Sequence, residues 1–329
     1  MKVGIRDVAR RAGVSTATVS HVINQTKYVS EDVAARVRQS IADLGYVPDT
    51  RARNFKRGSS DLIGLVVPDI SNPFWAIIIE EIEDALALEG YHLIIANTKE
   101  NEKREIENLQ ILSAGMVDGL IIGSTLTDCE PIDRILPDGL PAVFIDRRPD
   151  GCRRDSVTIS NYACVYAGVT RLIQSGHTRI GCIGGLTRLS TSGERLRAYL
   201  DAMAHHDLPV EDAFVQQGDS MSNSALVPMR RLLDAGCTAM VISNNIMADE
   251  VLAVLQRDPA YADRPIDVLA YRVGEHISAL DSPPILIDQP TTQMARLAAR
   301  QMLERIRMPE SPVKNTALSG NLIISAKLP

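Results

Sequence analysis

The feature that most constrains this chain is a regular alternation, beginning at Asp61, of short apolar runs with longer amphipathic runs. Runs such as LIGLVV at 62–67 and AVFID at 142–146 have the length of buried strands, and the segments between them have the period of helices. Alternating strands and helices form parallel sheets with helices on both faces. Because the rhythm occurs twice, it predicts two lobes with a cleft at the carboxyl ends of their strands, where such folds bind ligands.

The first part of the chain, residues 1 to about 47, has a different pattern. Apolar residues recur at helical spacing over 5–12, 19–23 and 33–44, and Gly13 interrupts the first run. Ser15 and Ser30 stand where they can cap the second and third helices. Three short helices with a tight turn after the first predict a helix-turn-helix, whose second helix enters the major groove of DNA. A small helical bundle with an inert polar face is the alternative.

Charge separates the two parts of the chain. Residues 1–60 hold 11 Lys and Arg against five Asp and Glu, a net charge of +6. The whole chain has a net charge of −6, so residues 61–329 carry −12. A basic head on an acidic body is expected when only the head meets a polyanion. The outer side of the second helix lacks charged side chains and holds small groups suited to base edges, namely Thr16, Ala17, Ser20, His21 and Asn24.

Residues 48–60 are predicted to connect the head to the body. Phe55 lies there among four Lys and Arg residues between 51 and 57. An apolar side chain flanked by cations is suited to insertion between base steps in the minor groove. Packing of Phe55 against the body is the alternative.

Several functional classes are disfavoured by what the sequence lacks. No run approaches the roughly 20 apolar residues of a membrane span, and the N-terminus has no apolar core of a secretory signal, so a cytoplasmic protein is expected. The five cysteines are scattered without a Cys-x-x-Cys pair, which favours idle thiols in a reducing compartment. Phosphate-binding, nucleophile-elbow and zinc-protease motifs are absent, so no enzyme, metal or cofactor is expected.

Three segments resemble the LacI family of bacterial transcription regulators: IRDVARRAGVSTATVSHVIN (5–24), YVPDTRARNFKRG (46–58) and IGLVVPDISNPFW (63–75). The similarity continues through GHTRIGCIGG (176–185) and IDQPTTQMARLAARQML (287–303). The resemblance implies a homodimeric repressor whose two heads bind double-stranded DNA at a near-palindromic operator. It implies a body like the periplasmic binding proteins, whose small-molecule effector controls DNA affinity. The absence of an added heptad tail favours a dimer over a tetramer.

The resemblance also implies domain limits and a role for the connecting segment. Ala52 and Phe55 match hinge-helix positions that enter the central minor groove. The implied limits are 1–47 for the helix-turn-helix domain, 48–60 for the hinge, and 61–329 for the effector-binding and dimerisation domain. Within the latter, the expected N-terminal lobe is about 61–160 plus 291–318, and the C-terminal lobe about 161–290 plus 319–329.

Eight residues match positions that face the ligand in the family: Asp69, Phe74, Trp75, Arg147, Thr191, Arg195, Asn245 and Arg272. Arg272 stands where the family often has an aspartate, and further carboxylates of the pattern are missing. Arginine presents a planar fork that suits carboxylate and phosphate. The resemblance therefore leads to an expected anionic effector, such as a sugar phosphate, a sugar acid or an organic acid.

Other interpretations of these residues stay open. Each arginine could instead belong to an ion pair, and Arg272 could turn outward or pair with Asp69 or Glu275. The alternative functions are a regulator that responds to a neutral sugar and a cytoplasmic sugar-binding protein. The identity of the effector, its sign of action, the operator and the target genes are not encoded in any pattern of the sequence.

Overall fold

The computed structural model describes residues 3–47, 59–261, 266–273 and 284–324. The chain divides into two compact units, residues 1–60 and 61–329. Ala52 and Phe55 lie outside the described residues. Within the described residues, no helix has the length and apolar character needed to cross a bilayer.

The first unit contains three helices: α1 (Ile5–Ala12), α2 (Thr16–Asn24) and α3 (Glu31–Leu44). Gly13 ends α1 with a φ of 67°, a left-handed conformation that glycine adopts without strain and that permits the tight turn into α2. The Ser15 hydroxyl accepts a hydrogen bond from the Thr18 N–H at 3.1 Å and so caps α2. Val8, Val19 and Val37, one from each helix, are fully buried in a common core.

The second unit contains two six-stranded sheets, one in each of two lobes. The first sheet has the order β11-β5-β4-β3-β1-β2, and all its paired neighbours are parallel. The strands and helices of this lobe, apart from its last helix and strand, are β1 (Leu62–Val67), α4 (Pro73–Ala87), β2 (His92–Asn97), α5 (Glu102–Ser113), β3 (Gly119–Ile122), α6 (Glu130–Ile135), β4 (Ala142–Asp146) and β5 (Asp155–Ser160).

The second sheet has the order β12-β10-β9-β8-β6-β7, and its pairs are parallel except for β10 with β12. Two short 3₁₀ helices, Asp212–Phe214 and Pro259–Tyr261, accompany it. Its strands and helices, apart from its last strand, are α7 (Tyr162–Gln174), β6 (Ile180–Gly184), α8 (Ser190–His205), β7 (Val215–Gln217), α9 (Leu226–Asp234), β8 (Ala239–Ile242), α10 (Asn245–Arg257), β9 (Asp267–Arg272) and β10 (Ile285–Asp288).

The chain passes between the two lobes three times. It enters the second lobe after β5, returns to the first through α11 (Thr291–Arg307) and β11 (Asn315–Ser319), and ends in the second with β12 (Asn321–Ile324). Ser319 pairs with Ser160 in the first sheet, so the last passage falls between Ser319 and Asn321. Chain segments that connect two lobes can act as hinges about which the lobes move relative to each other.

Helices cover both faces of each sheet. In the first lobe, α4 and α11 pack on one face and α5 and α6 on the other. In the second lobe, α9 and α10 cover one face and α7 and α8 the other. Central strands such as β1, β3 and β8 are therefore apolar along their length, as strands buried on two faces must be.

The cysteines differ from the expectation of five idle thiols. Cys129 and Cys152 form a disulfide, with their Cα atoms 5.1 Å apart, and Cys164, Cys182 and Cys237 are buried free thiols. A backbone bridge between Asp128 and Asp150 brings the two segments together. The prediction failed because the two cysteines are 23 residues apart and only the tertiary fold makes them neighbours.

Candidate functional sites

The outer side of α2 is the candidate surface for reading DNA. Thr16 and Ala17 are exposed in its first turn, while Ser20, His21 and Asn24 are half-buried. Val19 is fully buried beneath them and anchors the helix in the core of the head. α2 therefore presents one hydroxyl and one methyl group openly, and three further polar side chains less openly.

The half-buried side chains of α2 already make contacts within the head. The Asn24 amide donates to the Ser20 carbonyl at 2.9 Å and to the Ser20 hydroxyl at 3.2 Å. His21 Nδ1 lies 2.8 Å from the Thr26 hydroxyl, so Nε2 is the ring nitrogen that remains for a base edge. These contacts orient the side chains in advance and reduce the entropy that DNA binding would cost.

The head also carries exposed cations. Arg10, Arg11 and Arg38 form ion pairs with acids of the head. Arg6, Lys27 and Arg36 have no acidic partner among the described residues of the head and are exposed. Unpaired surface cations are the groups that neutralise DNA phosphates.

A second candidate site is a polar cleft between the two lobes of the body. It is a small cavity of about 40 Å³. Its lining comes from the first turns of α4, α8 and α10, the end of β4, and the loops before α9 and α11. The lining residues are Asn72, Phe74, Trp75, Asp146, Arg147, Thr191, Ser192, Arg195, Ser220, Asn244, Asn245 and Gln289.

Asp146 is the most unusual residue of this cleft. It is the last residue of β4, only 7% exposed, and its φ is +65°, which is strained for a residue with a Cβ. Its Oδ1 atom is buried and has no hydrogen-bond partner among the described residues. Burial raises the pKa of the carboxyl, and the guanidinium groups of Arg147 and Arg195 oppose that rise. The cleft thus holds a hydrogen-bond acceptor that the protein itself leaves unsatisfied.

Arg147 is held by acids of the protein. Its Nη1 and Nη2 donate to the two carboxylate oxygens of Glu100 at 2.9 and 2.8 Å, and its Nε lies 3.5 Å from Asp146 Oδ2. Such a two-point pair fixes the guanidinium and neutralises it. Arg147 therefore leaves little uncompensated positive charge for a ligand.

Arg195 is held by neutral groups. Its Nε donates to Asn161 Oδ1 at 2.8 Å, and its Nη1 donates to the Ser243 carbonyl at 2.5 Å. The guanidinium also lies 4.0 Å from the ring centroid of Tyr271. Nη2 remains as the donor that can face a ligand, on a side chain that cannot turn away.

Aromatic side chains close one side of the cleft. Phe74 and Trp75 meet edge to face, with centroids 5.4 Å apart, in the first turn of α4. Asn72 caps this helix by accepting from the Phe74 N–H at 3.0 Å. Gly123 follows β3, where a Cβ would come within 2.3 Å of the Trp75 ring, so glycine there lets the indole lie against the strand.

Hydrogen bonds across the cleft hold the lobes together. The Asn245 amide of the second lobe donates to Asn72 Oδ1 of the first at 2.9 Å. Arg188 of the second lobe donates to the Thr125 and Glu100 carbonyls of the first at 2.6 and 3.0 Å. Arg188 also forms an ion pair with Glu102 at 3.3 Å. These contacts accompany the small volume of the cleft in this arrangement of the lobes.

Arg272 lies in a different cavity from the one expected. Its Nε contacts Asp288 Oδ1 at 3.2 Å, and both line a larger cavity of about 740 Å³ next to the cleft. The three arginines expected to line one cleft are therefore separated, since Arg147 is neutralised and Arg272 lies outside. The charges of Asp146 and Glu100 offset those of Arg147 and Arg195, and the further group acting on Arg147, Glu105, is also an acid, so no positive charge is left over in and around the cleft.

The cleft gathers six of the eight residues matched to ligand-facing positions, all except Asp69 and Arg272. Asp69 accepts from the Ser71 N–H and hydroxyl and forms the turn before α4. Sequence reasoning missed Asp146, although an acid at the carboxyl end of a buried strand was the available signal. It also missed Asn72, Ser192, Ser220, Asn244 and Gln289, which are polar residues of loops and first turns with no pattern of their own.

A helix-turn-helix head and a two-lobed body with a polar cleft define a ligand-responsive DNA-binding protein. A family model described as "Bacterial regulatory proteins, lacI family" matches residues 4–49. A second, "Periplasmic binding proteins and sugar binding domain of LacI family", matches residues 60–328. The chain belongs to the LacI family, which confirms the resemblance and the expected fold class.

Relatives of known name match over nearly the whole chain. The transcriptional repressor PurR of Photobacterium profundum is 32% identical over 92% of each chain. The ribose operon repressor of Escherichia coli is 33% identical over 93% of each chain. The solved structure of the transcriptional regulator CelR in complex with cellobiose is 27% identical, with a TM-score of 0.71, and the match covers 98% of this chain and 99% of CelR.

Membership in the family fixes the general activity. The chain is a DNA-binding transcriptional repressor with a ligand-binding domain, and not an enzyme. Repressors of this family bind operator DNA and small-molecule effectors and act as dimers. The described residues also contain no group of three or more acids, histidines or cysteines placed to hold a metal ion.

Proposed function

We propose that two copies of this chain bind a near-palindromic operator in the cytoplasm through the outer side of α2, with Thr16, Ala17 and His21 facing base edges. The exposed hydroxyl and methyl groups of α2 match what the major groove presents, and His21 Nε2 suits a purine edge. Arg6, Lys27 and Arg36 supply charge for phosphates. Ala52 and Phe55 of the hinge are proposed to enter the central minor groove, as the family pattern suggests.

The effector is proposed to be a small molecule rich in hydroxyl groups, and its hydroxyl-bearing part is proposed to bind in the interlobe cleft. The unsatisfied, strained carboxylate of Asp146 is the observation that carries this proposal. A ligand hydroxyl would donate to Asp146 Oδ1, and Arg195 and Asn245 would donate to ligand oxygens. Phe74 and Trp75 would pack against an apolar face of a sugar ring, an arrangement of few polar groups among aromatic ones that is common in small-molecule sites.

The balance of charge in the cleft supports a neutral group at this point rather than the anion expected from the sequence. An anion beside Asp146 would meet a carboxylate, and Arg147 already has Glu100 as its partner. Relatives named for ribose and solved with cellobiose agree with a sugar as the hydroxyl-bearing part. An anionic effector would need cations outside the cleft.

Control of DNA binding would follow from linkage between the two sites. The cleft of about 40 Å³ is too small for a sugar, so a bound sugar would favour a different arrangement of the lobes. The factor by which the effector changes operator affinity must equal the factor by which the operator changes effector affinity.

Selection of operator sequences from random duplexes by the purified full-length protein tests the DNA-binding half. His21→Ala should weaken the selected site at least fivefold and relax preference at the base it contacts, as a lost base contact costs about 1–3 kcal/mol. Ala35→Ser, at an exposed position of α3, is the matched control. Equal effects of the two variants in fluorescence anisotropy would contradict the assignment of α2.

The same anisotropy assay tests the effector half, with pentoses, hexoses and disaccharides added to the operator complex. Asp146→Asn should keep operator affinity and lose at least 90% of the response to the sugar that acts on the wild type. Asp138→Asn, an exposed acid of the same lobe, should keep the response. An undiminished response of Asp146→Asn would remove the carboxylate from the site.

A further inference from the structure

The large cavity beside the interlobe cleft has the size of a ligand site. It measures about 740 Å³, within the range of roughly 300–1,000 Å³ typical of small-molecule pockets. It lies between the carboxyl ends of β9 and β10 and the first turns of α11. Gln289 lines both this cavity and the cleft, so the two spaces adjoin at one residue.

Three arginines line this cavity: Arg272, Arg296 and Arg300. Asp288 is the single acid among the described residues that line it, and it contacts Arg272 through Nε alone. Arg296 contacts Glu81 of α4 at 2.6 Å. Arg300 has no acidic partner in the described part of the chain. When Glu81 is counted as the partner of Arg296, just as Glu100 is counted for Arg147, Arg300 leaves one surplus positive charge on the cavity wall.

The positions of these cations cost helix stability rather than contribute to it. Arg296 and Arg300 are four residues apart on α11, and like charges at this spacing repel each other. An anion in the cavity would convert this repulsion into attraction.

Gln289 points to the same kind of ligand. Its Nε2 is buried and has no acceptor among the described residues, at the junction of the two spaces. A buried donor without an acceptor costs free energy that a ligand oxygen would recover. The available groups around the junction are thus donors and cations on the cavity side and the Asp146 acceptor on the cleft side.

We infer that the arginine cavity, defined by Arg272, Arg296 and Arg300, binds an anionic group, a carboxylate or a phosphate, of the effector whose hydroxyl-bearing part contacts Asp146. The inference rests on the proposed function of the cleft. The effector is then a two-part molecule, a sugar acid or a sugar phosphate. Its anionic part explains how an arginine surplus and a balanced cleft can serve one ligand.

The first test uses inorganic phosphate and measures thermal unfolding of the full-length protein at constant ionic strength. Phosphate should raise the melting temperature of the body more than chloride does. Arg272→Gln and Arg300→Gln should each weaken the apparent affinity about tenfold or more, since hydrogen bonds to charged groups are strong. Arg300 is exposed and unpaired among the described residues, so its replacement leaves the fold intact.

Two controls locate the effect. Arg307→Gln changes another arginine of α11, which pairs with Glu89 and does not line the cavity, and it should leave the phosphate shift unchanged. Lys27→Gln removes an unpaired cation of the head and should likewise leave the shift of the body unchanged. A phosphate shift absent from the wild type, or kept in both cavity variants, would overturn the inference.

The second test compares matched neutral and charged pairs: glucose with gluconate, glucose with glucose 6-phosphate, and ribose with ribose 5-phosphate. Greater stabilisation by charged members than by neutral ones, lost in Arg300→Gln and reduced in Asp146→Asn, supports the two-part effector. The pairs separate a carboxylate from a phosphate. Charged sugars that act no more strongly than their neutral partners, or than phosphate alone, would overturn it. If neutral sugars still released the operator, and if this response were lost in Asp146→Asn, the proposed function of the cleft would stand.

Discussion

At the scale of single residues, Asp146 combines three features that each cost folding free energy. Its carboxylate is buried, its backbone has a positive φ, and one oxygen lacks a hydrogen-bond partner among the described residues. A strained conformation of this kind costs on the order of 1–3 kcal/mol and is concentrated at functional sites. The neighbouring Arg147 reduces the cost of the charge but supplies nothing to Oδ1.

Asp146→Asn should stabilise the body at neutral pH while it impairs the effector response. Burial raises the pKa of Asp146 in the folded protein above its value in the unfolded chain. The folded state therefore holds this proton more tightly, and the wild type loses stability as pH rises from the unfolded pKa through the folded one. Asparagine has no charge and escapes that loss. The expected gain is roughly 2–4 °C in melting temperature at pH 7.5, or about 1 kcal/mol.

The pH dependence of this gain distinguishes its cause. Melting temperatures of the wild type and Asp146→Asn should converge as pH falls towards 4, because both side chains are then neutral. Asp138→Asn, at an exposed position, should show no gain at neutral pH. A variant less stable than the wild type at pH 7.5 would mean that Arg147 stabilises the carboxylate by more than burial destabilises it.

At the scale of elements, α2 depends on its cap because it is only nine residues long. An isolated helix of this length is marginal, so Ser15 and the packing of Val19 hold it in place. Ser15→Ala should destabilise the head by about 1 kcal/mol. Hydrogen exchange of the first-turn amides of α2 should show faster exchange, and operator affinity should fall.

Ser30→Ala is the matched control for the cap of α2. Ser30 occupies the same position before α3, but its side chain accepts no capping hydrogen bond. Its replacement should change exchange and affinity little. Equal effects of Ser15→Ala and Ser30→Ala would show that the hydroxyl of Ser15 does not carry the stability of α2.

The elements were largely predictable from the sequence because their signals are local. The apolar runs, Gly13 and the serines that precede α2 and α3 mark strands, turns and helix starts within a few residues, although only Ser15 forms the capping hydrogen bond expected of both. Contacts between distant segments carry no such signal. The pairing of Arg147 with Glu100 and the disulfide of Cys129 with Cys152 depend on the register of strands and loops. That is why half of the twelve residues that line the cleft were foreseen, whereas its balance of charge was not.

At the scale of the whole body, a ligand can influence the arrangement of the lobes most directly where it contacts one of the three passages between them. Gln289 and Pro290 form one passage and line the arginine cavity, so ligand contacts there act directly on the connection. Arg188 and Asn245 join the lobes from the other side of the cleft. An effector that breaks these contacts would favour a different arrangement of the lobes. The shift in population would be set by the difference between its affinities for the two arrangements.

Arg188→Ala should therefore speed the entry of the effector. The variant loses two hydrogen bonds and one ion pair across the cleft, which would lower the cost of opening, and an increase of about tenfold in association rate is expected. Trp75 is the single tryptophan of the sequence and lines the cleft, so stopped-flow fluorescence reports the event directly.

Arg179→Ala provides the matched control for this prediction. Arg179 makes comparable contacts, to Glu211 and to the Ala235 carbonyl, but both partners belong to its own lobe. Its loss should leave the association rate unchanged, even if it lowers the melting temperature. If Arg188→Ala and Arg179→Ala bind the effector at the same rate as the wild type, the contacts across the cleft do not limit entry. The ligand would then enter from the open side of the arginine cavity, with the lobes still joined.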